Sequence, residues 1–189
     1  MKLFRNITIA ALATLTLLSC GGPAGAESHN AKGFGELEAE LKREFGEDAY
    51  YTDLSILYVA QLGTSINTTV TKDPASLKMG EWHNGSGSWE QTSEVTLEIP
   101  EGSKASDFMF QLNDNINLSK LGGLVEESMK SLTAEKQIEN PTLSLAYIKF
   151  PDNGDISKAQ YVVQLEPENG GTSFSYFYEL SGDFIEMNY

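Results

Sequence analysis

The chain alternates between two hydrophobic periods, and the switch points divide it. Phe34, Leu37, Leu41 and Phe45 recur at steps of three and four. Glu36, Glu38, Glu40, Lys42, Arg43 and Glu44 fill the positions between them, so the spacing predicts an amphipathic helix. Gly46 is a natural stop. Strand-like runs follow at Leu54–Leu62 and Ser65–Thr71, closed by Asp73-Pro74. Leu77–Trp82 reads as a short strand before the turn His83-Asn84-Gly85-Ser86-Gly87. From Ser88 to Ile99 the period is two. Trp89, Val95, Leu97 and Ile99 are expected on one face, and Glu90, Thr92, Glu94, Thr96 and Glu98 on the other. Asp107–Leu112 fits a short strand or a turn of helix.

A second helical stripe, Leu121, Leu124, Val125, Met129 and Leu132, predicts a helix over 118–136. Gly122-Gly123 is expected to weaken its start. Four more strands complete the chain, at 143–150, 158–165, 172–180 and 184–189, with turns rich in Pro, Asn, Asp and Gly between them. Phe174, Tyr176 and Tyr178 fall on one side of the third of these, and Phe177 on the other.

The two halves read alike. Thr52–Val59 lies over Pro141–Ile148 at an offset of 89, Asp73-Pro74 over Glu166-Pro167 at 93, and Ser86–Gln91 over Ser181–Glu186 at 95. Drifting offsets are what turn insertions produce. The expected class is α+β: a tandem duplication of helix and antiparallel meander, with halves at about 33–99 and 118–189. One helix on four strands buries little. Two copies forming one sheet of seven or eight strands, with both helices on one face, bury much more and leave the other face free for a partner.

The first nineteen residues follow another logic. Lys2 and Arg5 precede an apolar stretch from Ile7 to Leu18, shorter than the roughly 20 apolar residues of a membrane span. The run Leu17-Leu18-Ser19-Cys20 resembles the lipobox of bacterial lipoproteins. That resemblance implies a signal peptide over 1–19, cleavage before Cys20, acylation of its thiol and acylation of the new amino terminus. Several acyl chains at about 0.8 kcal/mol per buried methylene hold a protein on a membrane where one does not. Gly21 is compatible with an outer-membrane destination facing the periplasm. Residues 20–32, rich in Gly, Ala, Ser and Asn, read as a flexible tether.

Cys20 is the single cysteine, so once lipidated it leaves no thiol for a disulfide, a nucleophile or a metal. The chain has 13 basic and 27 acidic residues, a net charge of −14, and the leader holds none of the acids. Nucleic acid is a poor partner for that charge, and a cationic protein a better one.

Candidate chemistry is thin. His29 falls in the tether and His83 in a turn, so a paired-histidine site is not expected. Gly85-Ser86-Gly87-Ser88 lacks the strand and helix that frame a nucleophilic serine. Asp152-Asn153-Gly154-Asp155 resembles the start of a calcium loop, but its twelfth position is Val163 rather than a bidentate glutamate, which favours a hairpin turn. Acid pairs suited to glycoside hydrolysis are inevitable among 27 acids, and no groove is apparent for them. No metal or cofactor is expected. Tyr50, Tyr51 and Tyr58 cluster around the first strand.

The order of elements, with aromatic strands entered at Gly87-Ser88-Trp89 and Gly182-Asp183-Phe184, is similar to PepSY-like periplasmic domains and to the tandem beta-lactamase-inhibitor-protein-like fold. That likeness implies a non-catalytic domain that binds protein or peptide. The expected function is therefore a lipid-anchored, non-enzymatic binding module, with Trp82, Trp89, Tyr176 and Phe177 as its contact residues. A carrier or sensor of a small apolar ligand is the alternative, and a hydrolase ranks last.

Overall fold

The structure is a computed structural model that describes residues 29–85 and 87–189. Cys20 and the expected leader over 1–19 lie outside the described residues. So does most of the expected tether over 20–32, but helix α1 (Ala31–Phe45) already begins inside it. The physical reason is Asn30, whose side chain accepts the Gly33 N–H and caps the helix. His29 is likewise packed, edge to face on Tyr58 at 4.2 Å between ring centres.

The strands are β1 (Tyr50–Val59), β2 (Gly63–Thr71), β3 (Lys78–Asn84) and β4 (Trp89–Thr96) in the first half. In the second they are β5 (Pro141–Lys149), β6 (Gln160–Pro167), β7 (Phe174–Glu179) and β8 (Phe184–Asn188). Helix α2 (Leu118–Lys136) precedes β5. All eight strands form one antiparallel sheet in the order β4-β3-β2-β1-β5-β6-β7-β8. The two meanders thus join through their first strands, Ile56 opposite Ala146, and mirror one another outward. The helix–meander duplication read from the sequence is the fold.

Both helices cover the same face. Phe34, Leu41 and Phe45 of α1, and Leu118, Leu121, Val125 and Leu132 of α2, pack on Leu54, Ile56, Ile66, Ala146, Tyr161, Val163 and Leu165 of the sheet. Each Leu, Ile, Val or Phe side chain among them contributes about 1.5–3 kcal/mol on burial. Ser128 and Tyr178 share a buried hydroxyl–hydroxyl bond of 2.8 Å.

The helix pair is built on a second repeat. Asn117 caps α2 by accepting the Lys120 N–H, as Asn30 caps α1. Glu38 of α1 accepts the Leu118 N–H at the start of α2 (2.7 Å), and Glu126 of α2 accepts the Ala31 N–H at the start of α1 (3.4 Å). Carboxylates at helix N-termini are favourable on both counts, hydrogen bond and dipole. The helices therefore cross antiparallel through their N-terminal halves. Gly35 and Gly122 lie at the crossing. A Cβ on Gly122 would strike the Asn30 carbonyl and come within 2.8 Å of the Phe34 Cβ. Gly122 permits the approach, rather than weakening the helix as its position suggested.

Four bulges redirect side chains. Thr92 interrupts the β3–β4 register, Ser144 the β5–β6 register, Ile185 the β7–β8 register and Thr52 the β1–β2 register. The first overturns an expectation: Trp89 faces the helices, but Val95, past the bulge, pairs with Met79 on the opposite face. That face is partly covered. Ala105 and Met109, from the segment joining the halves, bury Met79 there beside Tyr50, Leu97 and Ile99. Asp107–Leu112 is not a strand. A 3₁₀ turn over Ala105–Phe108 leads to a single bridge between Phe110 and Tyr51, which carries the chain back to the helix side.

Burial pushes the Tyr178 hydroxyl up to about 12 from an ordinary 10.0, and raises Tyr51, Tyr161 and Tyr176 as well. Between pH 10 and 12 the unfolded chain loses protons that the folded chain keeps, so stability is expected to fall as pH rises through that window. A melting temperature that stays level from pH 9.5 to 12 would contradict this burial.

Candidate functional site

The four expected contact residues do not share a surface. Trp82 and Trp89 stand on the helix side, both edge to face on Phe45, with ring centres 5.4 and 4.9 Å away. The Trp89 indole N–H donates to Glu40 Oε1 at 3.1 Å, and Asn84 donates to the same oxygen. Tyr176 is inside the core, 2% exposed. Phe177 alone of the four lies on the open face, with the Lys149 ammonium 5.7 Å from its ring centre. The alternation along Phe174–Tyr178 was legible. What hid the rest was which face the helices occupy and how β3 and β4 meet α1.

The open face has a continuous row of residues across all eight strands. In register it runs Glu90, His83, Asn67, Ser55, Tyr147, Val162, Phe177, Glu186. The first half of the row is polar, with His83 Nδ1 2.8 Å from Asn67 Oδ1. The second half is apolar from Tyr147 to Phe177 and ends on Glu186. Val162 is fully buried although it belongs to this face, flanked in register by the Tyr147 and Phe177 rings. Burial raises the Tyr147 hydroxyl pKa.

The two sheet edges differ more than the two halves do. Edge strand β4 carries Glu90 and Glu94, charges that discourage pairing with another strand, and each edge strand holds a bulge, Thr92 in β4 and Ile185 in β8. Edge strand β8 carries one charge, Glu186, and three exposed apolar side chains lie on it or directly after it. Phe184 is 57% exposed, Ile185 41% and Tyr189 76%, half of the large exposed apolar side chains among the described residues. Phe184 rests on Tyr178 (5.8 Å between ring centres), and Tyr189 on Phe174 (5.7 Å) with Lys136 above it. The outward backbone groups of an edge strand have no ladder partner, so β8 offers both hydrogen bonds and apolar contacts to an incoming strand. Sequence reasoning missed Ile185. Its signal was composition: Phe184-Ile185-Glu186-Met187 against Trp89-Glu90-Gln91-Thr92.

The candidates for catalysis stay apart. His29 packs on Tyr58 on the helix side, where burial lowers its pKa, and His83 bonds Asn67 on the open face. Asp155 caps a 3₁₀ turn by accepting from the Ser157 hydroxyl and N–H. The hydroxyl bond is the main cause of its lowered pKa. That is the chemistry of the hairpin loop expected from Asp152-Asn153-Gly154-Asp155. Among the described residues no three His, Cys, Asp or Glu side chains gather as a metal site. No protein-family model, curated protein or solved structure matches the chain.

Proposed function

We propose that this chain is a lipid-anchored protein of a bacterial envelope, held in the outer membrane through Cys20, that binds another protein without catalysing a reaction. Its contact surface is the β8 edge, with Phe184, Ile185 and Tyr189 as apolar anchors and Phe177 on the adjoining open face. The partner contributes an extended segment that adds to β8 as a ninth strand. The net charge of −14 favours a cationic segment and speeds its encounter. The unequal composition of the two sheet edges supports this reading most directly: β4 carries two exposed glutamates, whereas β8 carries one and, with the residue after it, three exposed apolar side chains.

Envelope crosslinking with the native chain and with a Cys20→Ser form tests it. Cys20→Ser is expected to move the protein from the membrane fraction to the soluble fraction and to abolish palmitate labelling. Both forms are expected to capture one saturable protein partner. Unchanged fractionation would refute the anchor, and capture of nothing by either form would refute the binding role.

A further inference from the structure

We propose a second site, on the helix side beside Trp82, that binds a small organic anion with an apolar body, of the aryl or short alkyl carboxylate class. It is independent of the β8 edge. Helix α1 ends at Phe45, where Gly46 turns the chain away at φ +100, while β2, β3 and β4 run on beneath. Helix α2 is longer, 19 residues against 15, and Lys136 in its last turn lies over Tyr189. The shorter α1 leaves a cleft of about 250 Å³ lined by Phe45, Val70, Lys72, Lys78, Trp82 and Glu94, among others. That volume lies below the roughly 300–1,000 Å³ of drug-sized sites, so the occupant is small.

The lining is amphipathic in a particular sense. Phe45, Val70 and the Trp82 ring supply an apolar wall. Gly80 makes room for that ring: a Cβ there would come within 3.2 Å of Trp82 Cδ1. Lys78 is paired with Glu94 at 3.1 Å. Lys72 has no ion pair among the described residues, and only the Glu44 carbonyl at 3.5 Å. The Trp82 indole N–H has no hydrogen bond among the described residues either, whereas that of Trp89 is held by Glu40. In a chain of net charge −14, Lys72 places an exposed, unpaired positive charge beside an apolar wall and a free indole donor. A carboxylate on an apolar body satisfies all three, and a neutral apolar molecule satisfies only the wall.

Phenylacetate and its uncharged counterpart phenylacetamide are the probes. In a Trp89→Phe variant Trp82 is the only indole, and its fluorescence reads the site. Phenylacetate is expected to give a saturable change and phenylacetamide little. Lys72→Gln is expected to weaken phenylacetate about fivefold, the upper end for an exposed ion pair, with Lys72→Arg restoring it. Ligand-detected NMR on the unaltered chain and on Lys72→Gln gives the same comparison should Trp89→Phe fold poorly. No saturable binding, equal binding of acid and amide, or an unaffected Lys72→Gln would each overturn the proposal.

Discussion

Replacing Gly122 with valine is expected to cost about 3 kcal/mol or more of stability, while Gly123→Ala, one residue on, is expected to add about 0.5–1 kcal/mol. The two glycines share a helix and differ in what lies above them. Nothing comes within 4 Å of a Cβ on Gly123, so alanine there gains only the helix propensity that glycine lacks. A Cβ on Gly122 meets the Asn30 carbonyl and the Phe34 side chain. Asn30 cannot retreat without releasing the Gly33 N–H that it caps, and Phe34 is fully buried against both helices and the sheet. The strain must therefore separate α1 from α2. Separation also weakens the paired carboxylate contacts, Glu38 to Leu118 and Glu126 to Ala31. Gly122→Ala is expected to fall between, its propensity gain outweighed by the clash. Urea unfolding of the three variants checks this, and indistinguishable midpoints for Gly122→Val and Gly123→Ala would refute the close crossing.

The second large effect concerns binding. Ile185→Lys and Phe184→Glu are each expected to reduce partner capture at least about tenfold, the size of effect seen when a central apolar anchor is lost. Both side chains are substantially exposed, so the fold is expected to survive either change. Charge alone could repel a cationic partner from Ile185→Lys, and Thr92→Lys controls for that. It places the same charge on the opposite edge, at a bulge in β4, and is expected to leave capture unchanged. The opposite sign of Phe184→Glu separates loss of the apolar anchor from electrostatic repulsion in a second way. Equal losses from Thr92→Lys and Ile185→Lys would place the effect in the overall field rather than at β8.

Much of this fold was legible because hydrophobic period is a strong local signal. The stripe from Phe34 to Phe45 named the correct buried face of α1, and the alternation from Phe174 to Tyr178 separated Phe177 from the other three rings without telling which side is buried. The tandem order followed from turn chemistry. What the period does not encode is a change in its own phase. At Thr92 one extra residue transfers Val95 to the other side of the sheet, and no side-chain preference announces it. Pairing between distant segments is hidden for a related reason. Ala105 lies outside every element the period predicts and Met109 in a short segment of undecided type, and neither shows from sequence that Met79 lies beneath it. The helix crossing did leave a trace that strand comparison passed over. Asn30, Phe34, Gly35 and Leu37 recur as Asn117, Leu121, Gly122 and Leu124 at an offset of 87, and each matched asparagine caps its helix. The contact surface was least legible. Trp82 and Trp89 were chosen by residue type, and the structure gives both to the packing around Phe45. Exposure of Ile185 depends on β8 being an edge, which is a property of the whole sheet.

Site-specific photocrosslinking reports most directly on which edge receives the partner. A photoreactive side chain at position 185 on β8 and one at position 92 on β4 would be activated in the envelope in parallel. Crosslinking to one protein from position 185, and none from position 92, is the expected result. Crosslinking from position 92 alone, or from neither position, would contradict strand addition at β8.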